Sequence, residues 1–438
     1  MKKPAVTKLP TGLTLVSVPM EGVQSVTALV LVDVGSRFEP IETAGIAHFF
    51  EHIVFKGTAK YPTALDLSSA IDAVGAEFNA FTSKEYTGFY VKVASRHLET
   101  ALDVLSEMML LPRIPEEDIV REQKVIIEEI NMYKDNPMAH VSSVFDTLFF
   151  SDPGLSHEII GSKETVLSIG KSNFEHFLSQ WYGLSNMTLV LAGDATVLEE
   201  STTIEQISAA FGKESLLPRA AESPSKEAFF LDKKISDKQL ECVQKDTEQA
   251  HFVLGWPGFA RKTEARPIIS VLSVLLGGNM SSRLFTEVRE KRGLCYYVHS
   301  DVDYYHDTGI IGASAGVDPK RAEEAVRVVL EECRALASGS KPITEQELLR
   351  AKEYIAGTLL LSLEDSKDVA QYFGTKKVLL DEVELPSVAL AKIQAVTAEQ
   401  VQALAKQVFL ETEPKLAIIG PFPESSVFTK ILEALPSA

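Results

Sequence analysis

The sequence predicts an α+β fold of two similar α/β domains, each a sheet packed with helices. Three observations lead there. The chain has 438 residues, 45% of them hydrophobic, which is too long for one ordinary core and suits two domains of about 200 residues each. Short β-branched stretches alternate with amphipathic ones along its length. A related order of elements then recurs after a stretch rich in Ser, Pro, Lys and Glu at 214–228, which reads as a linker between domains at 1–213 and 229–438.

In the first domain, residues 14–18 and 26–32 alternate or run in β-branched fashion and read as strands, followed by a loop and a helix that contains His48. A helix over 65–74 ends at Gly75, and strands follow at 77–82 and 86–93. Pro112 and Pro115 break the chain. Glu116, Glu117 and Asp118 then open a helix over 115–133, with acids set against its dipole. Residues 187–192 read as a strand and 197–211 as a helix. In the second domain, 251–256 and 310–317 read as strands, with helices at 267–276 and 319–337. Thr344-Glu345-Gln346-Glu347 opens one more.

Residues 114–129 resemble 343–358, since both begin with Ile and acids and carry an Arg at the same offset. Arg121-Glu122 in the first copy corresponds to Arg350-Ala351 in the second, and Glu129 to Thr358. The apolar helix of the second copy, Ile268-Ile269-Ser270-Val271-Leu272, has no His. The second half is a degenerate repeat without metal ligands, and chemistry belongs to the first.

The formal net charge of −18 argues against nucleic acid as a partner and favours cationic ligands. Cys242, Cys295 and Cys333 are odd in number and widely spaced, so neither a disulfide framework nor a cysteine metal site is expected. The start of the chain does not read as a secretory signal, and no apolar run reaches about 18 residues. Cytoplasmic location, with no membrane partner, is the expectation.

The stretch that carries chemistry is His48-Phe49-Phe50-Glu51-His52. Positions i and i+4 of a helix share a face, so His48 and His52 can bind one metal ion while Glu51 lies beside it as a proton acceptor. This is the inverted order of the commoner His-Glu-x-x-His zinc motif. Phe49, Phe50, Ile53, Val54 and Phe55 surround the polar trio, which predicts imidazoles that are partly buried and in need of partners. A catalytic zinc takes three protein ligands and keeps one position open. The helix from Pro115 offers the third, because Glu122 and Glu129 lie two turns apart on one face while Glu128 points about 100° away, toward solvent. His97, His140, His157, His176, His251, His299 and His306 carry no motif.

At these residues the chain resembles the pitrilysin, insulysin and mitochondrial processing peptidase group of zinc endopeptidases. The likeness begins at Gly45-Ile46-Ala47-His48-Phe49-Phe50-Glu51-His52-Ile53-Val54-Phe55-Lys56-Gly57-Thr58 and continues through Gly75-Ala76-Glu77-Phe78-Asn79-Ala80-Phe81-Thr82-Ser83. It takes in 122–130 and the strand ending Leu191-Ala192-Gly193-Asp194. In the second half, 282–296, from Ser282-Arg283-Leu284 to Leu294-Cys295-Tyr296, is similar to the family's second signature.

The resemblance implies one zinc per chain held by His48, His52 and Glu129, with Glu51 as general base and Glu122 supporting a ligand. It makes Asn79, Ala80 and Phe81 part of a sheet edge that holds an extended peptide, and Arg289 and Tyr296 donors to the peptide or the oxyanion. Larger members fold four such domains into a clamshell around a closed chamber, so this chain corresponds to half a shell. A homodimer is the simplest expectation, and a heterodimer with a related subunit the alternative. Substrates are unfolded peptides, with basic ones favoured by an acidic wall. Two other readings compete: a catalytically silent structural subunit, against which the intact pentad weighs, and a binder that captures peptides without cutting them.

Overall fold

The computed structural model describes residues 3–230 and 234–434. The chain forms two compact units, one of 1–130, 157–230 and 361–384, the other of 131–156, 231–360 and 385–438. Neither unit is one continuous stretch.

The first unit is built on a six-stranded sheet of β1 (Ala5–Lys8), β2 (Thr14–Met20), β3 (Ser25–Val32), β4 (Glu77–Thr82), β5 (Thr87–Ala94) and β6 (Met187–Asp194), in the order β1-β2-β6-β3-β5-β4. Only β2 and β6 pair in parallel. The sheet of the second unit holds β7 (Leu240–Gln244), β8 (Ala250–Pro257), β9 (Cys295–Tyr304), β10 (Gly309–Val317) and β11 (Lys415–Gly420), in the order β7-β11-β8-β10-β9. There the parallel pair is β7 with β11. The two orders superimpose strand for strand once β1 is set aside, so the recurrence read from the sequence is a repeat of topology.

Strands that occupy the middle of each sheet are apolar on both faces. All of β3 beyond Ser25 is buried, and β6 from Met187 to Gly193 as well. Four helices, α1 (Ile46–Ile53), α2 (Ala64–Asp72), α3 (Leu98–Leu110) and α4 (Glu116–Asp135), belong wholly or mainly to the first unit, and α3 packs against β3 and β5. Its sheet also receives the helix Ser366–Leu380, where a side chain at Gly374 would run into Leu31 and Val190. In the second unit the helix Pro137–Phe149 packs in the corresponding way, with Phe145 against Gly255 of β8. Each unit therefore takes one long helix from the other half of the sequence.

Helix α1 buries Ile46, Ala47, Phe49, Phe50 and Ile53, and leaves His48, Glu51 and His52 half-buried on the opposite side. Phe49 meets Phe174 edge-on at 5.1 Å, and Phe50 meets Tyr182 edge-on at 4.9 Å. These two rings anchor the helix that carries the pentad. Phe50 is fully buried, so Phe50→Ala is expected to cost about 3–5 kcal/mol, read as a lower denaturation midpoint in urea. A loss well under 1 kcal/mol would mean that the site closes up around the gap, with less void than rigid packing implies.

Candidate metal centre

The site assembles where α1 crosses α4 beside the end of β4. Along α4, Ile119, Glu122, Ile126 and Ile130 are buried, which turns the Glu122 and Glu129 face of the helix toward α1. Glu128 is exposed. The nitrogen and oxygen donors of His48, His52 and Glu129 all lie within 4.8 Å of one another. His48 Nε2 is 3.8 Å from Glu129 Oε1, and His52 Nε2 is 3.4 Å from Glu129 Oε2. A tetrahedral zinc with bonds of about 2.1 Å needs donors spaced by about 3.4 Å, so the set fits the ion in kind and in spacing.

The second nitrogen of His52 is also provided for. Its Nδ1 faces Glu122 Oε2 at 3.5 Å, and Glu122 Oε1 pairs with Lys56 Nζ at 2.8 Å. An acid behind a ligating imidazole fixes its orientation and raises its basicity. Glu51 is not within the donor cluster. Its Oε2 accepts a 2.7 Å hydrogen bond from Thr82 Oγ1, at the last residue of β4.

The electrostatics separate the groups. Burial first, and the neighbouring His52 second, hold His48 down to about 4 against the pull of Glu129. Burial also tends to lower His52, but its hydrogen bond to Glu129 and the charges of Glu129, Glu122 and Glu51 outweigh it, and the pKa rises. The His52 bond holds Glu129 below the usual carboxylate range despite burial. Burial pushes Glu51 up, more than the Thr82 bond and the His52 charge pull it down. A metal must displace the proton from His52, so zinc affinity is expected to fall as pH drops through the raised His52 pKa and to level off above it. His48, whose pKa is held down by burial, adds proton competition only at lower pH. Calorimetric titration in buffers of different ionisation enthalpy checks this, and an affinity flat with pH, without proton release, would contradict it.

The chain resembles relatives over the whole length that holds this site. An uncharacterized zinc protease of Streptomyces coelicolor is 37% identical over 95% of this chain and 89% of the relative. The model of the insulinase family, peptidase family M16, matches residues 15–163, which include His48, Glu51, His52, Glu122 and Glu129. This chain belongs to peptidase family M16.

A second M16 model, described as the inactive domain, matches 168–355, in keeping with a second half that carries no pentad. Another relative, the uncharacterized zinc protease YmxG of Bacillus subtilis, is 33% identical over 91% of this chain and 94% of its own. Among solved structures, a protease from Helicobacter pylori matches with a TM-score of 0.86 at 24% identity, covering 96% of this chain and 99% of that one. An M16 inactive-domain protein from Pseudomonas fluorescens matches at 0.85 and 18%, covering 96% and 98%. These two likenesses establish the fold.

The remaining residues singled out in the sequence fall in two places. Asn79, Ala80 and Phe81 lie on β4, the edge strand, which pairs with β5 alone. Asn79 is exposed, and its Oδ1 accepts from the Ala80 N–H at 2.9 Å; Ala80 is buried and Phe81 is tucked over Gly88. Arg289 and Tyr296 lie in the second unit, where the guanidinium sits 4.8 Å from the Phe285 ring centre and 5.6 Å from that of Tyr296, itself 74% exposed. Sequence reasoning placed Thr82 only on the peptide-holding sheet edge, not beside Glu51, and gave Lys56 no role. Lys56 follows His52 by one helical turn, a spacing that already places it on the ligand face.

Proposed function

We propose that this M16 protein is a zinc-dependent endopeptidase that hydrolyses unfolded peptides. One observation carries the reading: two imidazoles and the Glu129 carboxylate converge within 4.8 Å, with Glu51 beside them and held by Thr82. When bound, zinc supplies a Lewis acid that lowers the pKa of a water toward about 7 and polarises a carbonyl. Glu51 accepts the proton of the attacking water and returns it to the leaving amine. Its raised pKa suits both steps, because a base closer to neutrality also serves as the acid that follows. Thr82 fixes one carboxylate oxygen, so the other is the one offered to the water.

β4 offers main-chain N–H and C=O groups along its outer edge, and an extended peptide would pair there as an added strand, with little demand on sequence. Asn79 and Phe81 flank that strand. Family resemblance supports donors to the peptide from Arg289 and Tyr296 and a closed chamber formed by two copies, since one chain carries both the metal donors and the Arg and Tyr. The net charge of −18 favours basic peptides. Sparse, unpaired cysteines suit the cytoplasm, and no helix among the described residues is long and apolar enough to cross a membrane.

The test is cleavage of an internally quenched basic peptide by the full chain, with and without a chelator. Turnover that stops on chelation and returns with zinc supports the reading. Absent turnover, or turnover indifferent to the chelator, rejects it.

A further inference from the structure

Helix α1 has eight residues and holds two of the three metal donors, so any error in where it starts passes directly to them. Its first N–H groups need acceptors from outside the helix. The usual device, a Ser, Thr, Asp or Asn at the cap position, is ruled out locally. Gly45 occupies that position at φ 100°, and a Cβ there would lie 2.7 Å from the Ile160 carbonyl oxygen.

The acceptor comes instead from Glu39, outside the helix. Its Oε2 accepts from the Gly45 N–H at 2.6 Å and its Oε1 from the Ala47 N–H at 2.8 Å. Ala47 directly precedes His48. The Glu39 side chain is completely buried, with His157 Nε2 3.6 Å from Oε2. A carboxylate taken out of water at this cost persists only where strong donors meet it. Two backbone N–H bonds to an anion, at the positive end of a helix, are such donors. The bonds are made by both oxygens, so they set the rotation of the helix start as well as its position.

We propose that Glu39 is a positioning residue for the metal site: its carboxylate clasps the start of α1 and so sets the angle at which His48 and His52 meet Glu129. The inference rests on the zinc reading above. It concerns the donors' geometry and assigns Glu39 no contact with substrate.

Cobalt(II) titration of the metal-free full chain tests it, because cobalt d–d absorption reports ligand geometry without any need for activity. Wild type, Glu39→Gln, Glu39→Asp and His48→Ala are compared, with far-UV circular dichroism on each. Glu39→Gln, which replaces one acceptor by an amide donor, is expected to keep the fold, bind cobalt about 10–100-fold more weakly and show altered bands. Glu39→Asp keeps the charge but reaches only one of the two N–H groups, and falls between. Wild-type affinity and bands in Glu39→Gln overturn the proposal. So does loss of the fold in both Glu39 variants, which would make Glu39 a stability residue of the whole unit. Identical cobalt binding by His48→Ala and wild type sinks the zinc reading itself, and this inference with it.

Discussion

Glu51→Gln is expected to keep its zinc and lose about 10²–10⁴-fold in kcat/KM. The substitution preserves shape and volume, and the Thr82 hydroxyl can still donate to an amide oxygen where it now donates to the carboxylate. What disappears is the capacity to take up a proton. Glu51 stands outside the cluster formed by His48, His52 and Glu129, so metal content measured on the purified variant should match wild type. The pairing of full metal content with lost turnover distinguishes a base from a ligand. Loss of zinc in this variant, or activity close to wild type, would overturn the role given to Glu51.

Glu129→Ala should produce the opposite pairing. Removing a group behind a ligand costs about 10–100-fold in metal affinity, so removing a ligand itself should exceed about 100-fold. Activity then falls at least as far as in Glu51→Gln, but because zinc has gone. The same substitution takes away the hydrogen bond to Glu129 that helps to raise the His52 pKa, while Glu122 still faces His52 Nδ1. Glu128→Ala is the control. Its side chain is one residue away and exposed, and neither metal content nor turnover should change. Equal zinc retention in the two variants would remove Glu129 from the metal site.

The candidate donor cluster was legible because its His residues are rare and closely spaced. With nine His in the chain, a pair four apart around a Glu stands out, and helical geometry alone puts both rings on one face. Glu122 and Glu129 were legible for the same reason, while the approach of α4 to α1 had to come from the fold. Strand β4 matches its expected span, since turn residues bound it on both sides: Gly75 before, Ser83 after. Both halves of the repeat could be seen in element order, and the matching strand orders of the two sheets show why.

Other features left no local trace. Ser366–Leu380 and Pro137–Phe149 each pack in the unit of the other sequence half, and a helix's own periodicity says which face is buried, not against which sheet. β11, with Leu416, Ala417, Ile418 and Ile419 all buried, is apolar on both faces and offers no alternation to read. Glu39 is the clearest omission. A charged residue followed by Pro40 looks like part of a surface turn, and nothing near it in sequence announces that its carboxylate will reach six and eight residues ahead to the start of α1.

The most direct measurement is anomalous diffraction at the zinc edge from crystals of the purified full chain. One strong peak per chain is expected, about 2.0–2.2 Å from a ring nitrogen of His48, a ring nitrogen of His52 and a Glu129 oxygen. A peak held by other residues, or zinc-soaked crystals with no peak between these three side chains, would contradict it.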